Sequence, residues 1–280
     1  MGEIRNLSQL LDALRHGYDV TKGKKMSSPV TYAAREPEKE ERHFCISLAG
    51  HAIWIDSLHR EVYSLCEEFL CEDEPEIRVS ITEDDIAYER KEADKTNTPQ
   101  SDGYLETLAV YRKISERILE YDTFLMHGAV VASGSDAYMF TAASGTGKTT
   151  HIRKWLEKLD DAYVVNGDKP LIKITDTEAI ACGTPWRGKE QMGTNSMVPL
   201  RAIVLMERGE ENRMEEVSFM NAFTFLLQQT YQPKEKEAMK KTLRLFSQLK
   251  GKVRFYRFVF NNMKEDSFDV SYRALTGGKT

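Results

Sequence analysis

Residues 141–150 read TAASGTGKTT, a run of small and hydroxylated residues around one lysine. From Ala142 to Thr149 the spacing is that of a phosphate-binding loop, Gly-x-x-x-x-Gly-Lys-[Ser/Thr], with Ala142 where the first Gly usually stands. Such a loop needs small residues, because successive backbone N–H groups must converge on phosphate oxygens without side chains blocking the approach. Ser144, Gly145, Thr146, Gly147, Lys148, Thr149 and Thr150 are therefore the candidate nucleotide contacts. Lys148 is placed to bridge the β- and γ-phosphates, and the Thr149 hydroxyl to ligate Mg²⁺. Ala142 carries a Cβ and requires an ordinary negative φ, so weakened rather than lost binding is expected of it.

The flanks supply the strand and helix that such a loop needs. AVVAS and AYMFTA form a predicted hairpin about Gly134, Ser135 and Asp136. In THIRKWLEKL the apolar residues Ile152, Trp155, Leu156 and Leu159 fall at i, i+3, i+4 and i+7, the period of a helix. Phosphoryl transfer also needs an acid to hold the metal or to take the proton of the incoming hydroxyl. Asp168, in AYVVNGDKPLI at the end of the next strand, is the candidate for either role; as a turn residue in NGDKP it has a plainer reading. His127, in LMHGAVV, is a candidate acid or phosphate-orienting group, with a hydrogen-bonded core histidine as the alternative. In GTPWRGKEQMGTN, residues 183–195, Arg187 and Lys189 are candidates for contact with phosphate or an acidic acceptor. An exposed basic turn is the alternative there, and Trp186 argues against it because a large aromatic side chain packs on something.

HGAVVASGSDAYMFTAASGTGKTT followed by VVNGDKPLI resembles the catalytic core of the HPr kinase/phosphorylase family, which shares a histidine-glycine pair, a phosphate loop and downstream acids. SGTGKTT is also similar to the kinase loop of the phosphoenolpyruvate carboxykinases. The resemblance spans about residues 120–260. It implies an ATP-dependent, Mg²⁺-requiring kinase acting on a serine or other hydroxyl, with His127 near the transferred phosphate and Lys148 and Thr149 on nucleotide and metal. By the same likeness Asp168 takes the acid role. The implied fold is α/β, a P-loop core with a mixed sheet and flanking helices; the N-terminal part, which does not resemble that family's own N-terminal domain, reads as α+β. Implied partners are a peptide, protein or small-molecule acceptor and a second copy of the chain. The pattern departs from the family where its paired acids become Gly167-Asp168, or Asp168-Lys169 one step later, and where Arg-Gly-Leu-Gly is absent. A nucleotide-binding sensor or scaffold without catalysis is the alternative reading.

At 280 residues the chain is long enough for two domains, here divided as 1–104 and 105–280. An apolar content of 41% and an aromatic content of 10% are those of a folding chain. A net charge of −5 argues against nucleic-acid or membrane-surface partners. No signal-peptide core or long apolar span is apparent, so a cytoplasmic location is expected. Cys45, Cys66, Cys71 and Cys182 lack metal-ligand spacing and are expected to be reduced thiols. LSQLLDALRH (7–16) reads as a helix capped by Asn6 or Ser8, HFCISLAGHAIWIDS as a hairpin, LHREVYSLCEEFL as a helix, and EIRVSI as a strand. Residues 89–103 hold no large aliphatic side chain and are expected to be a mobile linker. LETLAVYRKISERILEY is a predicted helix with Leu108, Tyr111, Ile114 and Ile118 on one face. Further strands are expected in AYVVN, LIKIT, AIAC, AIVLME and VRFYRFVF, and helices near 218–230, over 234–250 and in EDSFDVSYRAL.

Overall fold

The computed structural model describes residues 38–94, 100–143, 145–261 and 263–277, together with the two-residue strands Tyr18–Asp19 and Lys24–Lys25. The helix expected over residues 7–16 lies outside the described residues. After a single helical turn at Lys39–Arg42 comes a three-stranded sheet. β1 (His43–Leu48) and β2 (His51–Asp56) pair antiparallel, and β3 (Ile77–Ser80) runs parallel to β2. The two-residue connection is left-handed at both positions, Ala49 with φ 53 and Gly50 with φ 78, the twist that matches a right-handed hairpin. α1 (Arg60–Cys66) and the 3-10 turn Glu67–Phe69 bury Val62, Cys66 and Phe69.

α2 (Glu83–Asp94) and α3 (Asp102–Arg117) follow. The expected linker over 89–103 is therefore corrected, since its first part is helical. α2 has little apolar surface to bury, but three acids occupy its first turn, where the helix dipole favours negative charge. α3 grips it electrostatically: Arg112 Nε meets Glu89 at 2.7 Å, and Lys113 Nζ meets Asp85 at 2.6 Å. Ile86 supplies the buried contact. α3 itself packs Leu105, Ala109, Val110 and Ile114 into one cluster with Ile46, Ile53, Ile55 and Val79 of the small sheet. Leu125, Leu171 and Cys182 join that cluster from the second half of the chain, across the division placed at residue 104. Fully buried Glu106 on α3 accepts hydrogen bonds from the backbone N–H groups of Leu58 (2.6 Å) and His59 (2.7 Å), tying down the start of α1.

The second half is built on a mixed sheet, nine-stranded among the described residues. Its strands are β4 (Thr123–Leu125), β5 (Ala129–Ser133), β6 (Asp136–Thr141), β7 (Tyr163–Asn166), β8 (Leu171–Ile174), β9 (Ala179–Cys182), β10 (Met197–Arg208), β11 (Arg213–Val217) and β12 (Arg254–Phe260). The order is β4-β8-β9-β10-β6-β5-β7, with β12 parallel to β10 and β11 antiparallel to β12. Successive side chains alternate faces. Val131, Tyr138, Phe140 and Val204 lie with α4 (Lys148–Lys158) and α7 (Ser267–Thr276), whereas Val130, Met139, Ile203 and Phe255 lie with α5 (Phe219–Gln228) and α6 (Lys236–Ser247). The expected α/β class, mixed sheet and flanking helices are found. All four cysteines are free, with Cys71 half-buried and the others buried. No helix among the described residues is long and apolar enough to cross a membrane.

α4, which begins at the glycine loop, is anchored by Trp155. This fully buried ring packs against Tyr138, Phe140, Phe268 and Tyr272, and its Nε1–H donates to His151 Nε2 at 3.2 Å. Burial, helped by the Lys154 charge, pushes His151 down to about 3, so it is neutral and accepts that bond. Trp155→Phe keeps the aromatic body but removes the donor and part of the volume. We expect a loss of about 1–3 kcal/mol in urea unfolding; an unchanged midpoint would show that the indole N–H bond contributes nothing.

Candidate active site

The strand directions decide where the chemistry-bearing residues meet. β5 is antiparallel to β6 and to β7, pairing Ala129 with Phe140 and Val130 with Asn166. The start of β5 and the ends of β6 and β7 therefore share one edge, and His127, the glycine loop and Asp168 occupy it. Backbone bonds lock the three segments: Gly128 N–H donates to Asp168 O at 2.9 Å, and Thr141 Oγ1 donates to His127 O at 2.8 Å. Buried Asn166 shapes the acidic turn, its Oδ1 accepting from the N–H groups of Asp168 (2.9 Å) and Lys169 (2.6 Å).

The Asp168 carboxylate is held on both sides. Oδ1 lies 3.1 Å from His127 Nε2, and Oδ2 lies 2.8 Å from Lys169 Nζ. Burial works against the charge, but the His127 hydrogen bond and the Lys169 cation outweigh it and hold the carboxyl well below the usual range. The other ring nitrogen, His127 Nδ1, lies 2.9 Å from Gln229 Oε1 at the end of α5. A Gln amide can turn either its oxygen or its NH₂ to a partner, so the carboxylate on Nε2 sets the imidazole tautomer.

In the loop, Gly145 (φ 78) and Gly147 (φ 117) take up left-handed conformations open to glycine. A Cβ on Gly147 would stand 2.7 Å from Phe260 Cε1, which adds a steric reason for glycine there. Ala142 is fully buried among the apolar residues between the sheet and α4, and its φ is not positive. Its Cβ therefore fills core, and its carbonyl accepts from Lys148 Nζ at 3.2 Å. Burial pushes the Lys148 ammonium below the ordinary lysine range, with the Asp168 carboxylate opposing that shift and Lys169 adding to it. Lys148 and Asp168 thus lie within electrostatic reach of each other. Thr149 is half-buried, Thr150 is exposed, and Ser144 lies outside the described residues. Arg208, at the end of β10, donates to Gly145 O at 2.5 Å.

The first part of the loop over 183–195 is packed, residues 183–188 being buried or half-buried, whereas residues 189–191 are exposed, so the exposed-turn alternative fits only the later part. Trp186 Nε1 donates to Thr107 O at 3.2 Å, and its ring lies 5.2 Å from that of Tyr111. The Arg187 side chain is only 10% exposed, and Nη2 reaches Glu68 Oε2 at 2.6 Å. Gly188, at φ 73, touches Asp168: a Cβ there would stand 2.8 Å from Asp168 Cβ. The Arg187 main chain thus lies against the acidic turn, its carbonyl oxygen 2.9 Å from where a Cβ on Gly167 would stand, while its guanidinium reaches Glu68 and Phe69; Lys189 is exposed. Burial raises the Tyr111 hydroxyl well above its ordinary range, and the nearby Asp168 and Tyr231 add to it, so α3 also contributes a side chain to this region. Sequence reasoning missed Lys169, Gln229, Arg208 and Glu68. Only Lys169, adjacent to Asp168, carried a local signal.

No protein-family model matches the chain, and no curated protein does. Among solved structures, the Hpr(Ser) kinase/phosphatase from Coxiella burnetii matches with a TM-score of 0.33 and 8% identity, over 55% of this chain and 93% of that one. This is a distant structural relationship, and nothing about the chemistry of this chain follows from it.

For a metal ion, the described residues contain no group of three or more His, Cys, Asp or Glu side chains set to hold one. The Thr149 hydroxyl and the Asp168 carboxylate are the oxygen donors that could hold Mg²⁺ here, too few for a cage made wholly of protein. A cleft of about 680 Å³ lies at the opposite end of the sheet, around Gly134, Arg201 and Arg254. Its cations are already matched, Arg201 by Asp136 at 2.6 Å and Arg254 by Leu275 O at 2.8 Å.

Proposed function

We propose that the chain is an ATP-dependent, Mg²⁺-requiring kinase that transfers the γ-phosphoryl group to a hydroxyl of a peptide, protein or small molecule. The supporting observation is the meeting of the glycine loop, half-buried Lys148 and Asp168 at one edge of the sheet. Loop N–H groups and the first turn of α4 would take the phosphates, and Lys148 the charge that develops between the β- and γ-positions. Thr149 and Asp168 would hold Mg²⁺, which neutralises phosphate charge when bound.

The depressed carboxyl makes Asp168 a weak proton acceptor, which bears on its role. Phosphoryl transfer passes through a loose transition state that asks more for positioning than for early proton removal. A carboxylate fixed by His127 and Lys169 suits the task of orienting a hydroxyl. Exchange of the Lys169 or His127 contact for the incoming O–H is the step that admits the acceptor.

ATP with Mg²⁺ is expected to raise Tm, the stabilisation reaching about 2.7 kcal/mol at one hundred times Kd. Incubation with γ-labelled ATP and pools of serine-containing peptides or small alcohols is then expected to move label to an acceptor. No shift with ATP or GTP would overturn nucleotide binding. A shift without transferred label would favour the binding-only reading, for which the single acid, engaged on both oxygens, is the motivating feature.

A further inference from the structure

Arg187 presents an unfinished contact. A guanidinium offers Nε and Nη2 as parallel donors along one edge, a fork that matches two oxygens of a carboxylate or phosphate. Glu68 uses half of it: Nη2 donates to Oε2 at 2.6 Å, while Nε is buried with no hydrogen-bond partner among the described residues. A buried donor left unmatched is unfavourable, so the fork is poised for a better occupant. The guanidinium is held ready by its surroundings. Its carbon lies 5.2 Å from the centre of the Phe69 ring, and its stem runs over Gly193, with Cγ and Cδ each 3.3 Å from where a Cβ would stand. Glu68, by contrast, is 68% exposed and loses little by swinging into water.

We propose that Arg187 anchors an anionic group, a carboxylate or phosphate, on the acceptor, and that Glu68 occupies this anchor until the acceptor arrives. This rests on the kinase reading for the word acceptor, although anion capture at Arg187 stands on its own geometry. The next residue, Gly188, touches Asp168, so the anchor belongs to the loop that covers the acid. Recognition of the acceptor then spans both halves of the chain: Glu68 and Phe69 come from the turn after α1, Arg187 from the loop after β9.

The test titrates malonate and, separately, inorganic phosphate into protein carrying Lys148→Ala, which removes the glycine loop as a competing anion site. Adding Glu68→Gln is expected to tighten binding of at least one probe about two- to fivefold, the range that releasing a half-exposed ion pair represents. Glu67→Gln, an equal change of charge one residue away, is expected to leave both affinities alone. Tightening for malonate only identifies a carboxylate acceptor; for phosphate only, a phosphorylated one. Affinities that are equal with and without Glu68→Gln, or an equal gain from Glu67→Gln, overturn the proposal. The side-chain Nε–H resonance of Arg187 is expected to move on saturation, and its failure to move does the same. ATP binding, measured separately with Lys148 intact, reads the kinase assignment, so the two can fail independently.

Discussion

Lys148→Ala is expected to lower phosphoryl transfer about 10³-fold or more and to abolish the ATP-induced rise in Tm, while the Tm of the ligand-free protein stays within a few degrees of its original value. The separation of the two effects is the point. Burial already pushes the ammonium below its ordinary range, and Lys169 opposes its charge, so the fold keeps this cation at some cost. One bond to the Ala142 carbonyl at 3.2 Å and the attraction of Asp168 are the visible compensation. A polyphosphate would supply the missing countercharge. Removing the amine therefore takes away a desolvated cation that the ligand-free protein does not need and the bound state does. Equal turnover of labelled ATP by the variant would refute the assignment, and a collapse in Tm would show that Lys148 holds the fold instead. Differential scanning fluorimetry with and without ATP and Mg²⁺, beside the transfer assay, distinguishes these outcomes.

How much of this was legible in the sequence depends on how local each determinant is. The β5–β6 hairpin, the glycine loop and α4 follow from turn residues and the change from period two to period 3.6 within a few dozen residues. β11 was not legible: RMEEV lacks an apolar alternation because it lies at the border of the sheet, pairing only with β12, and leaves most of its side chains in water. α2 was hidden for a related reason, its helix being held by Arg112 and Lys113, which stand 23 to 28 residues further along. Asp168 and Lys148 were named from the sequence, but their surroundings were not. Gln229 meets His127 across 102 residues, and Glu68 meets Arg187 across 119, separations at which spacing carries no signal. The Ala142 departure, which weakened the loop reading on paper, became intelligible only with its Cβ in the core beneath α4.

Asp168→Asn carries the second large effect and separates two roles that share one carboxylate. We expect transfer to fall about 10²- to 10⁴-fold with ATP still bound, because the amide keeps the shape of the group while losing its charge and one acceptor site. If the carboxylate serves chiefly the hydroxyl, kcat falls and the Mg²⁺ dependence is unchanged; if it serves chiefly the metal, the Mg²⁺ required rises and excess Mg²⁺ restores part of the rate. The depressed carboxyl favours the first outcome in the ligand-free geometry, where His127 and Lys169 already satisfy both oxygens. The same depression gives the substitution a signature in stability. A folded-state value below the ordinary 3.8 means that the charged form stabilises the fold at every pH above that figure, and that this contribution is lost as pH falls through it toward the folded value. Wild type is therefore expected to exceed Asp168→Asn in stability by a margin that is flat near neutrality and closes only below about pH 4. A margin that stayed open as the pH fell below 4 would show that the charged carboxylate does not stabilise the fold through His127 and Lys169.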